Sequence, residues 1–137
     1  LLYIADTGNQ RIATLQTTSG TRGADMPWDE IYDCYQRQGQ NPTCSDYHMM
    51  NGGVLHTFVT GAKHGISKPS GLALYNNTIY VSDYATGTIF AFNKEGMLMD
   101  FLELKRPNTL GGITFDATGN LYVIDTGANQ LLKISPL

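Results

Sequence analysis

Short runs of alternating apolar and polar residues recur along the chain. In Ile79-Tyr80-Val81-Ser82-Asp83, Ile and Val point one way and Tyr and Ser the other, the two-residue period of a strand. Runs of this kind predict strands at 2–6, 10–16, 53–60, 70–75, 78–83, 88–93, 97–103, 111–116, 120–125 and 130–135. Asn76-Asn77, Asn93-Lys94-Glu95-Gly96 and Thr118-Gly119-Asn120 fall where hairpins must turn, and Asn and Gly tolerate the positive φ needed there. A helical period is absent, apart from a short turn expected near Trp28–Tyr35.

The pattern repeats. Leu2-Tyr3-Ile4-Ala5-Asp6-Thr7-Gly8-Asn9-Gln10 is matched by Leu121-Tyr122-Val123-Ile124-Asp125-Thr126-Gly127-Ala128-Asn129-Gln130, with a weaker copy at Ile79-Tyr80-Val81-Ser82-Asp83-Tyr84. Upstream, Ser70-Gly71-Leu72-Ala73-Leu74-Tyr75 answers Gly111-Gly112-Ile113-Thr114-Phe115-Asp116. Asp83 and Asp125 are 42 residues apart (125 − 83), whereas Asp6 and Asp83 are 77 apart (83 − 6), one period plus 35. A period of roughly 40–45 residues with several short strands is the mark of a β-propeller blade.

These residues resemble the NHL-repeat β-propellers, whose blade runs Pro-x-Gly-apolar-x-apolar, a turn, then apolar-Tyr-apolar-x-Asp-x-x-Asn-x-Arg-apolar. Pro69-Ser70-Gly71-Leu72-Ala73-Leu74 and Ile79-Tyr80-Val81-Ser82-Asp83 follow it, and Tyr3-Ile4-Ala5-Asp6-Thr7-Gly8-Asn9-Gln10-Arg11-Ile12 is the closest copy. The middle copy carries Thr86-Gly87-Thr88 in place of Asn-x-Arg, and the third carries Leu131 in place of Arg. The resemblance covers all but residues 17–52. It implies an all-β fold of four-stranded antiparallel blades, with residues 1–137 holding between two and three of them. Residues 17–52 are then an insertion between strands of the first blade.

Each repeat residue has a structural role to play. Asp6, Asp83 and Asp125 end a strand, where a carboxylate accepts hydrogen bonds from the N–H groups of the following turn. Gly71 and Gly112 open the innermost strand, where sheets crowd and a Cβ would clash. Propellers close with about four to eight blades. A partial wheel is expected to leave side chains such as Ile113, Phe115, Leu121 and Val123 without cover, at about 1.5–3 kcal/mol each. Five such losses match the stability of a whole domain. On this reading the remaining blades, from the same chain or another copy, are obligatory partners, and the sequence is a slice of a longer protein.

The insertion differs from the rest. It collects Asp25, Asp29, Glu30, Asp33 and Asp46 against Arg22 and Arg37, and the aromatics Trp28, Tyr32, Tyr35 and Tyr47. Long loops of this kind commonly carry function. Tyr and Trp give large contact area for few rotatable bonds, so these four are interaction candidates; the alternative is that they pack the insertion down. Both cysteines, Cys34 and Cys44, lie here. A bridge between them would stabilise the loop by roughly 2.5–3 kcal/mol in the chain-entropy model and points to a secreted or cell-surface protein. The alternative is two buried thiols in the cytosol. Asn76-Asn77-Thr78 is an N-glycosylation sequon in a hairpin turn, which makes Asn76 a modification candidate.

Composition narrows the function. The 137 residues carry 9 Lys+Arg and 12 Asp+Glu, a net charge of −3, so no basic coat awaits a nucleic acid. Lys63, His64 and Lys68 are the one basic cluster, too small for the RNA-binding mode known among NHL proteins. No apolar run is long enough for a membrane span. Asp6-Thr7-Gly8 and Asp125-Thr126-Gly127 spell the aspartic-protease triplet, but they share one repeat phase and so belong on separate blades. His48, His56 and His64 lack a ligand spacing, and no metal or cofactor is implied. The leading expectation is a non-enzymatic interaction or scaffold module that meets a protein or glycan through its loops. The alternative is part of a propeller enzyme, a metal-dependent lyase or hydrolase completed by other blades.

Overall fold

The computed structural model describes residues 1–25 and 48–136, with the side chains of Asp25 and His48 left aside. It is all-β and antiparallel, and its contacts divide it into two compact units. Cys34, Cys44, Trp28, Tyr32, Tyr35, Tyr47 and the expected helical turn near Trp28–Tyr35 lie outside the described residues.

The first unit is Leu1 with Leu15–Leu55. Its hairpin joins β3 (Thr21–Asp25) to β4 (His48–Asn51), with Thr21 opposite Asn51 and Arg22 opposite Met50. The polar, turn-rich composition of this stretch hid both strands from periodicity.

The second unit, Leu2–Thr14 and His56–Leu137, holds three sheets. β1 (Leu2–Asp6), β2 (Arg11–Leu15) and β5 (Leu55–Thr60) form one, so β2 pairs with β5 across the intervening segment. β6 (Pro69–Tyr75), β7 (Thr78–Asp83), β8 (Thr88–Phe92) and β9 (Leu98–Glu103) form a four-stranded meander. β10 (Leu110–Phe115), β11 (Leu121–Asp125) and β12 (Gln130–Ile134) form the third. All ten strands expected from the alternation are present within two residues of their predicted ends. Among the described residues the sheets do not close into a ring.

Turn chemistry sets the registers. Asn76 and Asn77 have φ of 46° and 62°, the two successive left-handed residues of a hairpin turn matched to strand twist. Tyr75 and Thr78 then close the β6–β7 ladder.

The alternation of β7 feeds two cores. Ile79 and Val81, with Phe90 and Phe92 of β8, pack against Ile12 and Val59 of the first sheet. Tyr80 and Ile89, on the other face, meet Leu110, Ile113, Leu121 and Val123 of the third. The side chains expected to lose cover are therefore on the covered face: Ile113, Leu121 and Val123 are buried and Phe115 is half-buried. Period two separates the faces of a strand without telling which one meets a neighbour. The open face of the third sheet carries Ile124 and Leu131 instead, 47% and 64% exposed. Two apolar side chains replace the five of the earlier arithmetic, and the penalty falls to about 3–6 kcal/mol.

Candidate functional site

The three repeated aspartates end β1, β7 and β11 and face the turns that follow. Each turn returns to the next strand through a left-handed residue four positions on: Gln10 (φ 51°), Gly87 (φ 72°) and Asn129 (φ 52°). Their partners differ. Asp83 is fully buried and takes four hydrogen bonds. Ser67 N–H and Lys68 N–H donate to Oδ1, while Thr86 N–H and Thr86 Oγ1 donate to Oδ2. Asp125, also buried, accepts from Gly127 N–H and Ala128 N–H at Oδ1, both 3.0 Å. Its Oδ2 accepts from Arg106 Nη1 at 2.5 Å. Asp6 instead binds side chains, Asn9 Nδ2 and Arg11 Nε, the latter at 2.7 Å.

These bonds decide the charge state. The Arg11 hydrogen bond, then that of Asn9, holds the Asp6 carboxyl below its ordinary value. The Ala128 N–H does the same for Asp125, against the opposing effect of burial, and Arg106 adds to it. Two separately satisfied carboxylates do not share a proton, as a protease dyad must.

Arg106 is a residue the repeat pattern did not reveal. The first copy keeps the Arg of the repeat and pairs Arg11 with Asp6; in the third, strand pairing puts Gln130, rather than the expected Leu131, at that place, and Arg106, from the segment before β10, reaches Asp125. The signal was present as a vacancy: a repeat carboxylate whose usual guanidinium was missing.

Gly71 sits where the second and third sheets touch. A Cβ there would lie 2.7 Å from Gly111 O and from Ser82 Oγ, and 2.9 Å from the Gly112 Cα. Gly112 itself has room, since its Cβ would meet Ile124 Cδ1 at 3.9 Å. Its part in the approach is to present a bare Cα to Gly71. Ser82 Oγ donates to Gly111 O at 2.6 Å and accepts from Gly71 N–H at 2.9 Å; Ser70 Oγ donates to Leu110 O. A polar seam thus ties the sheets together at their inner strands.

Further out the same two sheets separate. Tyr75 stacks on Phe115 at 4.6 Å, and Tyr80 leans on the same ring at 4.6 Å. Beyond these rings lies a cleft of about 340 Å³, walled by Phe101 and Leu102 of β9 and by Ile134, Ser135 and Pro136. Asp100 also lines it, beside otherwise largely apolar walls.

The remaining candidates are dispersed. Asn76 is exposed at its hairpin tip. His56 is exposed on β5, and His64 is half-buried with its ring edge-on to Phe92 at 5.2 Å. Burial, then Lys63, pushes the His64 pKa down. The Lys68 ammonium lies 5.9 Å from the centre of the Tyr84 ring. Among the described residues no three His, Cys, Asp or Glu side chains gather as a metal site. No helix among them is long and apolar enough to cross a membrane. In comparisons with known proteins, no family model matches the chain and no curated protein matches it.

Proposed function

We propose that the chain is part of an NHL-type β-propeller that serves as a non-enzymatic interaction or scaffold module of a larger secreted or cell-surface protein. Its partner is a protein or glycan met through the loops, with the acidic, Tyr/Trp-rich insertion at 17–52 foremost. One observation carries this reading. The side chains with chemical potential at the repeat positions, Asp6, Asp83 and Asp125, are committed to holding turns. What the sheets turn to solvent is apolar: Met97, Met99, Phe101, Ile124 and Leu131 are each 47–64% exposed. Apolar side chains exposed in two places, along β9 and on the open face of the third sheet, suit contact with another macromolecule better than small-molecule chemistry. Three consecutive sheets with the aspartate at the end of corresponding strands support the propeller part of the proposal.

Deletion of residues 20–50 from the full-length protein tests the role of the insertion. The expected result is a folded protein, by circular dichroism, that loses binding on glycan and protein arrays. Unchanged array binding would remove the insertion from the interface, and unfolding would assign its aromatics to packing. The secreted reading has its own check. A glycosidase-sensitive mass increment at Asn76 and a Cys34–Cys44 peptide in non-reducing maps are expected from a eukaryotic secretory host, and their absence would count against it.

A further inference from the structure

Asn51 closes β4 and is followed by Gly52, and nowhere else in the sequence does Asn precede Gly. Both residues are exposed. Among the described residues the Asn51 carboxamide enters no hydrogen bond. It lies against Gly23, where a Cβ would come 2.8 Å from Asn51 Nδ2. Gly52 has a φ of 68°, and nothing stands within 4 Å of the place its Cβ would take. Its backbone nitrogen is therefore unshielded. Other asparagines are held. Asn93 Oδ1 accepts from Glu95 N–H and Met97 N–H, Asn120 Nδ2 donates to Asp116, and Asn9 Nδ2 donates to Asp6.

We infer that Asn51 is a self-modification site, at which the chain converts its own asparagine to isoaspartate and aspartate. The Gly52 nitrogen, losing its proton to a solvent base, attacks Asn51 Cγ. The new N–Cγ bond closes a succinimide ring, the Cγ–Nδ2 bond breaks, and Nδ2 leaves as ammonia carrying the proton that the base removed. Water then opens the ring at either carbonyl. Breaking the bond from nitrogen to Cγ gives aspartate in a normal backbone; breaking the bond from nitrogen to the Asn51 backbone carbonyl carbon gives isoaspartate. Each conversion consumes a water and releases an ammonia, with no change of oxidation state.

Ring closure requires Asn51 to leave its extended conformation. The hairpin makes that step cheap. β3 and β4 form a sheet of two strands, a marginal arrangement in water, and Thr21–Asn51 is the last pair of its ladder. Asn76 and Asn77, by contrast, sit in a tight turn fixed by a four-stranded sheet. Isoaspartate routes the main chain through Cβ and so adds a backbone atom, together with a negative charge, opposite Thr21. No strand register accommodates the extra atom, and the Thr21–Asn51 pair is lost in that product.

The test incubates the whole chain in heavy-oxygen water and maps it by mass spectrometry, with isoaspartate scored by enzymatic methylation. Label is expected to enter Asn51 about tenfold or more faster than any other asparagine, and faster still as rising pH ionises more of the amide. Both isoaspartate and aspartate are expected. Asn51→Gln keeps an exposed carboxamide but needs a larger ring, and Gly52→Ala shields the nitrogen; each is expected to slow labelling about tenfold. Amide exchange at Thr21 is expected to quicken about threefold or more in the isoaspartate fraction. Labelling spread evenly over the asparagines, aspartate without isoaspartate, or labelling unchanged in both variants overturns the proposal. Unchanged exchange at Thr21 overturns the loss of pairing.

Discussion

β8 and β12 occupy the same place in successive sheets, and both are largely apolar, Thr-Ile-Phe-Ala-Phe against Gln-Leu-Leu-Lys-Ile. Yet β8 is buried along its whole length while Gln130, Leu131 and Lys133 of β12 are exposed. Ile89 and Leu131 are equivalent in register; one is 3% exposed and the other 64%. Burial in a strand is thus set by its neighbours: an edge strand on one side, and a packed sheet on one or both faces. Side chains of one kind stabilise strongly in the middle sheet and weakly in the last.

Four measurements break or sharpen this contrast. The largest effect is expected from Asp83→Ala, which strips four hydrogen bonds from a buried turn and leaves backbone donors without partners. A loss of about 4 kcal/mol in urea denaturation is expected. Asp6→Ala, whose partners are side chains near solvent, is expected to shift the midpoint much less. Equal shifts would mean that burial does not distinguish the copies. Next, Ile89→Ala is expected to cost about 3 kcal/mol, and Leu131→Ala to stay within about 0.5 kcal/mol. A comparable cost at both positions would show that Leu131 is covered in solution.

Gly71→Ala forces a methyl against Gly111 O and Ser82 Oγ, and about 2 kcal/mol of lost stability is expected. Gly112→Ala has space and is expected to change less, so calorimetry on the pair separates the crowded glycine from its neighbour. The smallest effects come with pH. Asp6 and Asp125 have folded pKa values below the ordinary 3.8, so their contribution is complete above that value. It is lost as pH falls through the folded values. His64 is lowered from 6.5, so the unfolded chain binds its proton first and stability declines as pH drops below 6.5. His64→Gln is expected to flatten the urea midpoint between pH 7 and 5; an unchanged slope would show that His64 does not couple to folding.

Much of this molecule is local and could be read along the chain. The ten alternating runs became strands because period two fixes which residues share a face. Asn76-Asn77 became a left-handed hairpin turn because few other residues adopt that geometry cheaply. The repeated aspartates marked turns, since carboxylates at strand ends have N–H groups within reach. β3 and β4 escaped because their residues, Thr21–Asp25 and His48–Asn51, alternate weakly amid a polar segment.

Tertiary structure alone decided the rest. Alternation separates Ile113, Leu121 and Val123 from Thr114 and Ile124, but only the position of the middle sheet made the first set core and the second set surface. Arg106 and Asp125 are 19 residues apart, and no local rule pairs them; the fold brings the guanidinium to the carboxylate that Gln130, at the place of Arg11, leaves unserved. The cleft beside β12 is likewise a property of two sheets that touch at their inner strands and part at their outer ones. Sequence determines what each strand offers to a neighbour, because side-chain direction is a short-range consequence of backbone geometry. Which offer is taken up depends on contacts between residues distant in the chain, and those exist only once the sheets have packed.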